Sequence, residues 1–195
     1  FSAMRHFAIE LRDEGYELTY VQLEEHKQST FETVLEELLK NKEPQKIIVT
    51  APSEYRVLEK VKNWPKLYSV DLEIKDDTRF LCSKKDFQQW SKKKKKLMME
   101  YFYRDMRKKY NILMDGDKPI GGQWNYDKQN RKAIPNNQSI PEPREFKPDK
   151  ITQKVTKLVS DNFSEHFGTI ENFRYAVTRA DALKALDWFI DNQLP

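Results

Sequence analysis

The sequence predicts an α/β protein built on a doubly wound parallel sheet, followed by a long linker and further helices. Three observations carry that expectation. Helical and strand-like patterns alternate through the first 74 residues. "KIIVT" (Lys46–Thr50) is a short apolar run of the kind found in a buried parallel strand. "YSVDLEI" (Tyr68–Ile74) alternates cleanly with the period of a half-buried strand.

The elements follow in order. Phe1, Met4, Phe7, Ala8 and Leu11 recur at helical spacing until Gly15 stops the pattern. "ELTYVQL" alternates well enough for a strand over Leu18–Leu23. Ser29 with Glu32 forms a capping-box pattern ahead of Phe31, Val34, Leu35, Leu38 and Leu39. Pro52 and Ser53 introduce a helix with Leu58, Val61 and Trp64 inward, and residues 84–110 read as helical and very basic. Residues 111–150 read as irregular, and a stretch of that length inside a domain points to a functional loop or a linker. Helix returns at Ile151–Val159, and Thr178 with Asp181 caps a last helix. Its stripe of Leu183, Leu186, Phe189 and Ile190 is expected to fold back on Ile151, Val155 and Leu158. The three strands make a thin sheet, and the opening helix has no strand before it, so an earlier strand is expected to be missing.

Composition narrows the function classes. Aromatic residues reach 12%, which argues against disorder. The 35 cations against 31 anions permit nucleic-acid contact without demanding it. No apolar run approaches the ~18 residues of a membrane span, and no signal segment leads the chain, so a soluble, cytoplasmic protein away from membranes is expected. Cys82 stands alone, which excludes an internal disulfide and cannot by itself hold a cluster. His6, His26 and His166 share no metal-ligand spacing, and no metal site is expected.

One block concentrates rings, cations and glycines: "MEYFYRDMRKKYNILMDGDKPIGGQWNYDKQNRK". Lys92, Lys93, Lys94, Lys95 and Lys96 precede it, and Arg104, Arg107, Lys108 and Lys109 lie within it. They read as a solvated face or as phosphate contacts, with localisation signalling as a minor third reading of the lysine run. Tyr101, Phe102, Tyr103 and Trp124 read either as base-stacking rings or as core, with Phe102 favouring core. "DGDKPIGG" lacks phosphate-loop spacing and reads as a turn whose glycines admit close backbone approach. Asp115, Asp117 and Asp127 do not fit a calcium loop, and no motif supports a nucleophile.

That block, "FSAMRHFAIELRDEGYELTY" and "FRYAVTRADALKALDWFIDNQLP" resemble the iron–sulfur branch of the photolyase and cryptochrome family, the prokaryotic (6-4) photolyases. The resemblance runs along essentially the whole chain. It implies a Rossmann-like antenna domain over 1–83, a basic helix and interdomain linker over 84–150, and a helical segment over 151–195. That segment leads to a flavin domain beyond this chain. The family binds 6,7-dimethyl-8-ribityllumazine in the antenna domain, with FAD and a 4Fe–4S cluster in the flavin domain, and repairs DNA with light. By this resemblance the chain is an amino-terminal antenna piece, inert alone, with DNA and its own flavin domain as partners and a monomeric state favoured. Phe1, Ser2, Arg5, Leu23, Glu24, Thr50, Ala51 and Pro52 are the expected pigment contacts, over the carboxyl ends of the strands. Lys92 to Lys96 and Arg107 are the expected DNA contacts. One departure weakens the pigment expectation: "TAPSEYRV" has Ala51 and Tyr55 where the family pattern has an acid and a tryptophan. The alternatives are a stand-alone nucleic-acid-binding module without enzymatic activity, or a small nucleotide-binding α/β protein.

Overall fold

A computed structural model describes residues 1–25, 30–92, 94–127, 131, 133–137, 139 and 141–194. It divides into two compact units, residues 1–27 with 134–195, and residues 28–133.

The first unit is helical. Helix α1 (Ser2–Asp13) packs on a helix near the other end of the chain, Lys150–Asn162, which becomes α6 in chain order. Ala8, Val155 and Leu158 are its buried apolar residues. Beside them the Ser2 hydroxyl donates to Thr152 Oγ1 at 3.1 Å, and Thr152 is 2% exposed. Asp149 caps that helix by accepting the Thr152 amide at 2.8 Å. The last helix (Arg179–Gln193, α7) is capped as its sequence predicts, Thr178 accepting the Asp181 amide at 3.1 Å.

Two expectations fail in this unit. Leu18–Leu23 is irregular, not a strand. It turns back along α1, where Tyr16 donates its amide to the Leu11 carbonyl at 3.0 Å and Arg12 Nε donates to the Leu18 carbonyl at 3.4 Å. Alternation chooses a face but supplies no edge to pair with. The α7 stripe does not fold back: Leu183, Leu186, Phe189 and Ile190 stay 45–51% exposed. Val155 and Leu158 are already buried where α1 packs on α6.

The second unit holds α2 (Phe31–Lys42), β1 (Lys46–Thr50), α3 (Tyr55–Tyr68), β2 (Asp71–Lys75), α4 (Lys84–Ser91), α5 (Met99–Tyr110) and a two-residue hairpin, β3 (Met114–Asp115) and β4 (Lys118–Pro119). β1 and β2 pair in parallel from Lys46 opposite Asp71 to Thr50 opposite Lys75, with α3 as the crossover. Val61 of α3, 2% exposed, is the unit's most buried side chain. The parallel sheet therefore has two strands rather than three, and the chain is α/β in this reduced form. Ser29 lies outside the described residues; the reciprocal cap on α2 is formed by Thr30 and Thr33.

The basic stretch is also rearranged. It is two helices, and the lysine run lies on the connection between them. Consecutive like charges repel along a helix, and in this run Lys94 is offset by Asp105 at 4.0 Å. Lys93 lies outside the described residues; Lys92, Lys94, Lys95 and Lys96 are exposed.

Candidate functional site

Small residues follow β1 and acids follow β2, and the chain leaves both strands at one edge. A cleft of about 730 Å³ opens there. Ala51 and Ser53 follow β1 on one side, while Asp76 and Asp77 follow β2. The Ala51 amide continues the pairing, donating to the Lys75 carbonyl at 2.8 Å. Carboxyl edges of parallel strands are where open α/β sheets place ligands, because the following helices begin there.

The opposite walls are apolar. Phe80, Leu81, Phe87, Met99, Phe102 and Met106 line them, and Phe80, Leu81 and Met99 are 58–75% exposed. Behind the wall, α4 and α5 are joined by an aromatic trio. Phe102 meets Phe87 edge-on at 5.4 Å and Trp90 edge-on at 5.1 Å, while Phe87 and Trp90 stack at 5.7 Å. The Trp90 indole donates to Asp105 Oδ2 at 2.8 Å, which holds the pair in register. Phe102 is half-buried, packed between the Phe87 and Trp90 rings while it also lines the cleft.

The segment between β2 and α4 is tied at three points. Asp77 accepts from Arg79 Nε and Nη2 at 2.9 and 2.6 Å, and these bonds hold its carboxyl below the usual aspartate range. Tyr110 donates its hydroxyl to the Leu81 carbonyl. Lys84 donates to the Pro52 carbonyl at 3.1 Å, linking the start of α4 to the loop after β1. Ser83 caps α4 by accepting the Asp86 amide at 3.1 Å. A half-buried Cys82 lines the cleft beside it.

The ring-and-cation block has a structural explanation. Arg107 is 7% exposed. Its Nε donates to the Ile112 carbonyl at 3.0 Å, Nη1 to the Tyr103 hydroxyl at 3.1 Å, and Nη2 to the Leu113 carbonyl. Arg104, Arg107 and Lys108 all stand 5.3–5.5 Å from the centre of the Trp124 ring. Glu100 holds Arg104 at 2.7 Å and accepts from Asn125 at 2.9 Å. The block thus fastens the hairpin and Trp124 onto α5. Gly121 stands at φ 81°, left-handed backbone that glycine adopts without strain, and the Tyr126 hydroxyl lies where a Cβ would be.

The expected pigment residues form two groups. In the first unit Arg5 and Glu24 are joined by two bonds, 2.8 and 2.7 Å, while Ser2 meets Thr152 and Phe1 meets the Phe163 ring at 6.0 Å. Leu23 is 37% exposed. In the second unit Thr50, Ala51 and Pro52 stand at the end of β1, with Ala51 in the cleft wall. Among the expected DNA contacts, Arg107 uses all three of its nitrogens for bonds inside its own unit, and Lys94 rests 5.0 Å over the Trp90 ring. Sequence reasoning missed Phe80, Leu81, Phe87, Met99 and Met106. The pattern "RFLCS" after a strand, followed by a Ser83 cap, was the available signal.

Among the described residues no helix is long and apolar enough to cross a membrane, and no group of three or more His, Cys, Asp or Glu could hold a metal.

Residues 1–175 match the family described as deoxyribodipyrimidine photo-lyase-related protein. A (6-4) photolyase of Agrobacterium fabrum (strain C58) is 42% identical over 195 residues, all of this chain and 38% of that protein. The uncharacterized protein R852 of Acanthamoeba polyphaga mimivirus is 32% identical over 139 residues, 69% of each protein. The chain spans well under half of the photolyase's length.

Proposed function

The chain belongs to the deoxyribodipyrimidine photo-lyase-related protein family, and from that premise we propose that it is the antenna portion of a light-driven (6-4) DNA photolyase or cryptochrome-like photoreceptor. The observation that carries this reading is the apolar cleft at the carboxyl edge of β1 and β2. At about 730 Å³ it is within the size range of small-molecule and cofactor sites.

The lining suits a bicyclic pigment with a polyol tail, such as 6,7-dimethyl-8-ribityllumazine. Phe80, Phe87 and Met99 offer ring-sized apolar surface, and Ser53, Asp76 and Gln88 offer partners for hydroxyls. Ala51 keeps the strand edge low, where a larger side chain would fill the cleft. The bound pigment would supply light absorption; the residues present hold it and exclude water.

FAD and a 4Fe–4S cluster do not fit this chain in the same way. A cluster needs several thiolates, and Cys82 is the single cysteine. Both groups belong, in this reading, to the flavin domain of the whole protein, and the antenna portion is catalytically inert by itself. A reducing, cytoplasmic setting follows from the same reading.

Titrating the pigment into the purified chain tests the proposal. Saturable binding that quenches Trp90 is expected. Ala51→Trp should weaken it at least about tenfold, equivalent to about 1.4 kcal/mol. Absence of saturable binding, or indifference to Ala51→Trp, counts against the cleft.

A second reading, direct contact of the lysine connection with DNA phosphate, rests on the exposure of Lys92, Lys94, Lys95 and Lys96. Glutamine at these positions should weaken binding to all sequences alike. The logarithmic salt slope should shrink by about 0.9 for each lost duplex contact. An unchanged slope would make the run a solvated surface.

A further inference from the structure

His6 enters a small cavity of about 80 Å³, bounded by the stretches that lead into α6 and α7. Its side chain is 15% exposed. Nδ1 lies 2.8 Å from the Ser2 carbonyl oxygen, and Nε2 lies 2.8 Å from Asp149 Oδ2. Neither partner has a proton to give. A carbonyl only accepts, and Asp149 is ionised: burial pushes its carboxyl up, but bonds from Thr152 and His6 outweigh burial and hold it at about 2.

A neutral imidazole carries one N–H and one bare lone pair. In this geometry it could satisfy one partner only, setting its lone pair against an oxygen at the other. We infer that His6 is a protonation latch, whose imidazolium donates from both nitrogens at once, to the Ser2 carbonyl of its own helix and to the Asp149 cap of α6. Loss of one proton leaves either the Ser2 carbonyl or the Asp149 carboxylate facing a bare ring nitrogen.

The surroundings favour the charged form. Asp149 faces His6 from the α6 cap and Asp181 from the first turn of α7; Lys147 and Tyr175 line the same cavity. Desolvation alone would lower the His6 pKa, yet the Ser2 and Asp149 hydrogen bonds and the two carboxylates raise it overall above 6.5. A raised folded-state pKa stabilises fully below the unfolded value, and that stabilisation disappears as pH climbs through the raised value. The low Asp149 pKa acts oppositely, its contribution being lost as pH falls toward about 2.

Proton-detected ¹⁵N spectra of the full chain between about pH 5.5 and about pH 9 read both His6 ring nitrogens. The ring is assigned through its absence in His6→Gln. Both nitrogens should be protonated near pH 6.5, with a midpoint above the ordinary histidine value that drops toward it in Asp149→Asn. The unfolding constant in urea should rise by up to about tenfold per pH unit between those two values, then level. His6→Gln should flatten that rise. A single-proton tautomer at pH about 6 in the wild-type chain, or a midpoint at or below the ordinary value, overturns the latch. That reading needs no variant to fold.

Discussion

Arg107→Ala is expected to destabilise the second unit by about 3–6 kcal/mol, because bonds from a charged donor contribute about 1.5–3 kcal/mol each and two of its three acceptors are backbone carbonyls, while the exposed Tyr103 hydroxyl can turn to water. The guanidinium now serves the Ile112 and Leu113 carbonyls and the Tyr103 hydroxyl from a site 7% exposed. Asn111 and Leu113, with φ of 52° each, lie in left-handed backbone that the arginine helps to hold. Trp124 also loses one of its three cations. Arg107→Lys should recover little, since one ammonium cannot span three acceptors with fork geometry. Urea unfolding followed by tryptophan fluorescence measures this. A midpoint within error of the wild-type value would show that the hairpin is held by other contacts.

Glu24→Ala should cost about 3 kcal/mol, the lower end of the range for an uncompensated buried charge. The lower end applies because the Glu24 side chain is 42% exposed while that of Arg5 is 9% exposed. Arg5 Nε is buried without a partner among the described residues, so the carboxylate is the main compensation for that charge. The Arg5 bond is also the leading reason the Glu24 carboxyl sits below its usual range. Its stabilisation is therefore present at neutral pH and lost as pH falls through the lowered value. Replacing both residues with leucine should return much of the loss, because no charge is left stranded. If the double replacement is as unstable as Glu24→Ala alone, packing rather than charge explains the site.

Local signals determined much of this protein. The parallel strands at Lys46–Thr50 and beside Tyr68–Ile74, the Thr178 cap, and the glycine turn before Trp124 were all legible, since each depends on residues within a few positions. The family was legible too, in the long block from Met99 to Lys132. Tertiary structure decided the rest. Leu18–Leu23 has strand alternation, but a strand exists only where an edge accepts its hydrogen bonds, and this segment bonds back to α1 instead. Arg107 looked like a free cation because a sequence shows charge and not the carbonyls that chain reversal brings to it. The cleft joins the end of β1 to rings 30 and more positions beyond Thr50, and its Phe80, Phe87 and Met99 become neighbours only once α4 and α5 have packed. His6 and Asp149, 143 positions apart, meet only because α1 and α6 bury one another, a pairing that no local pattern encodes.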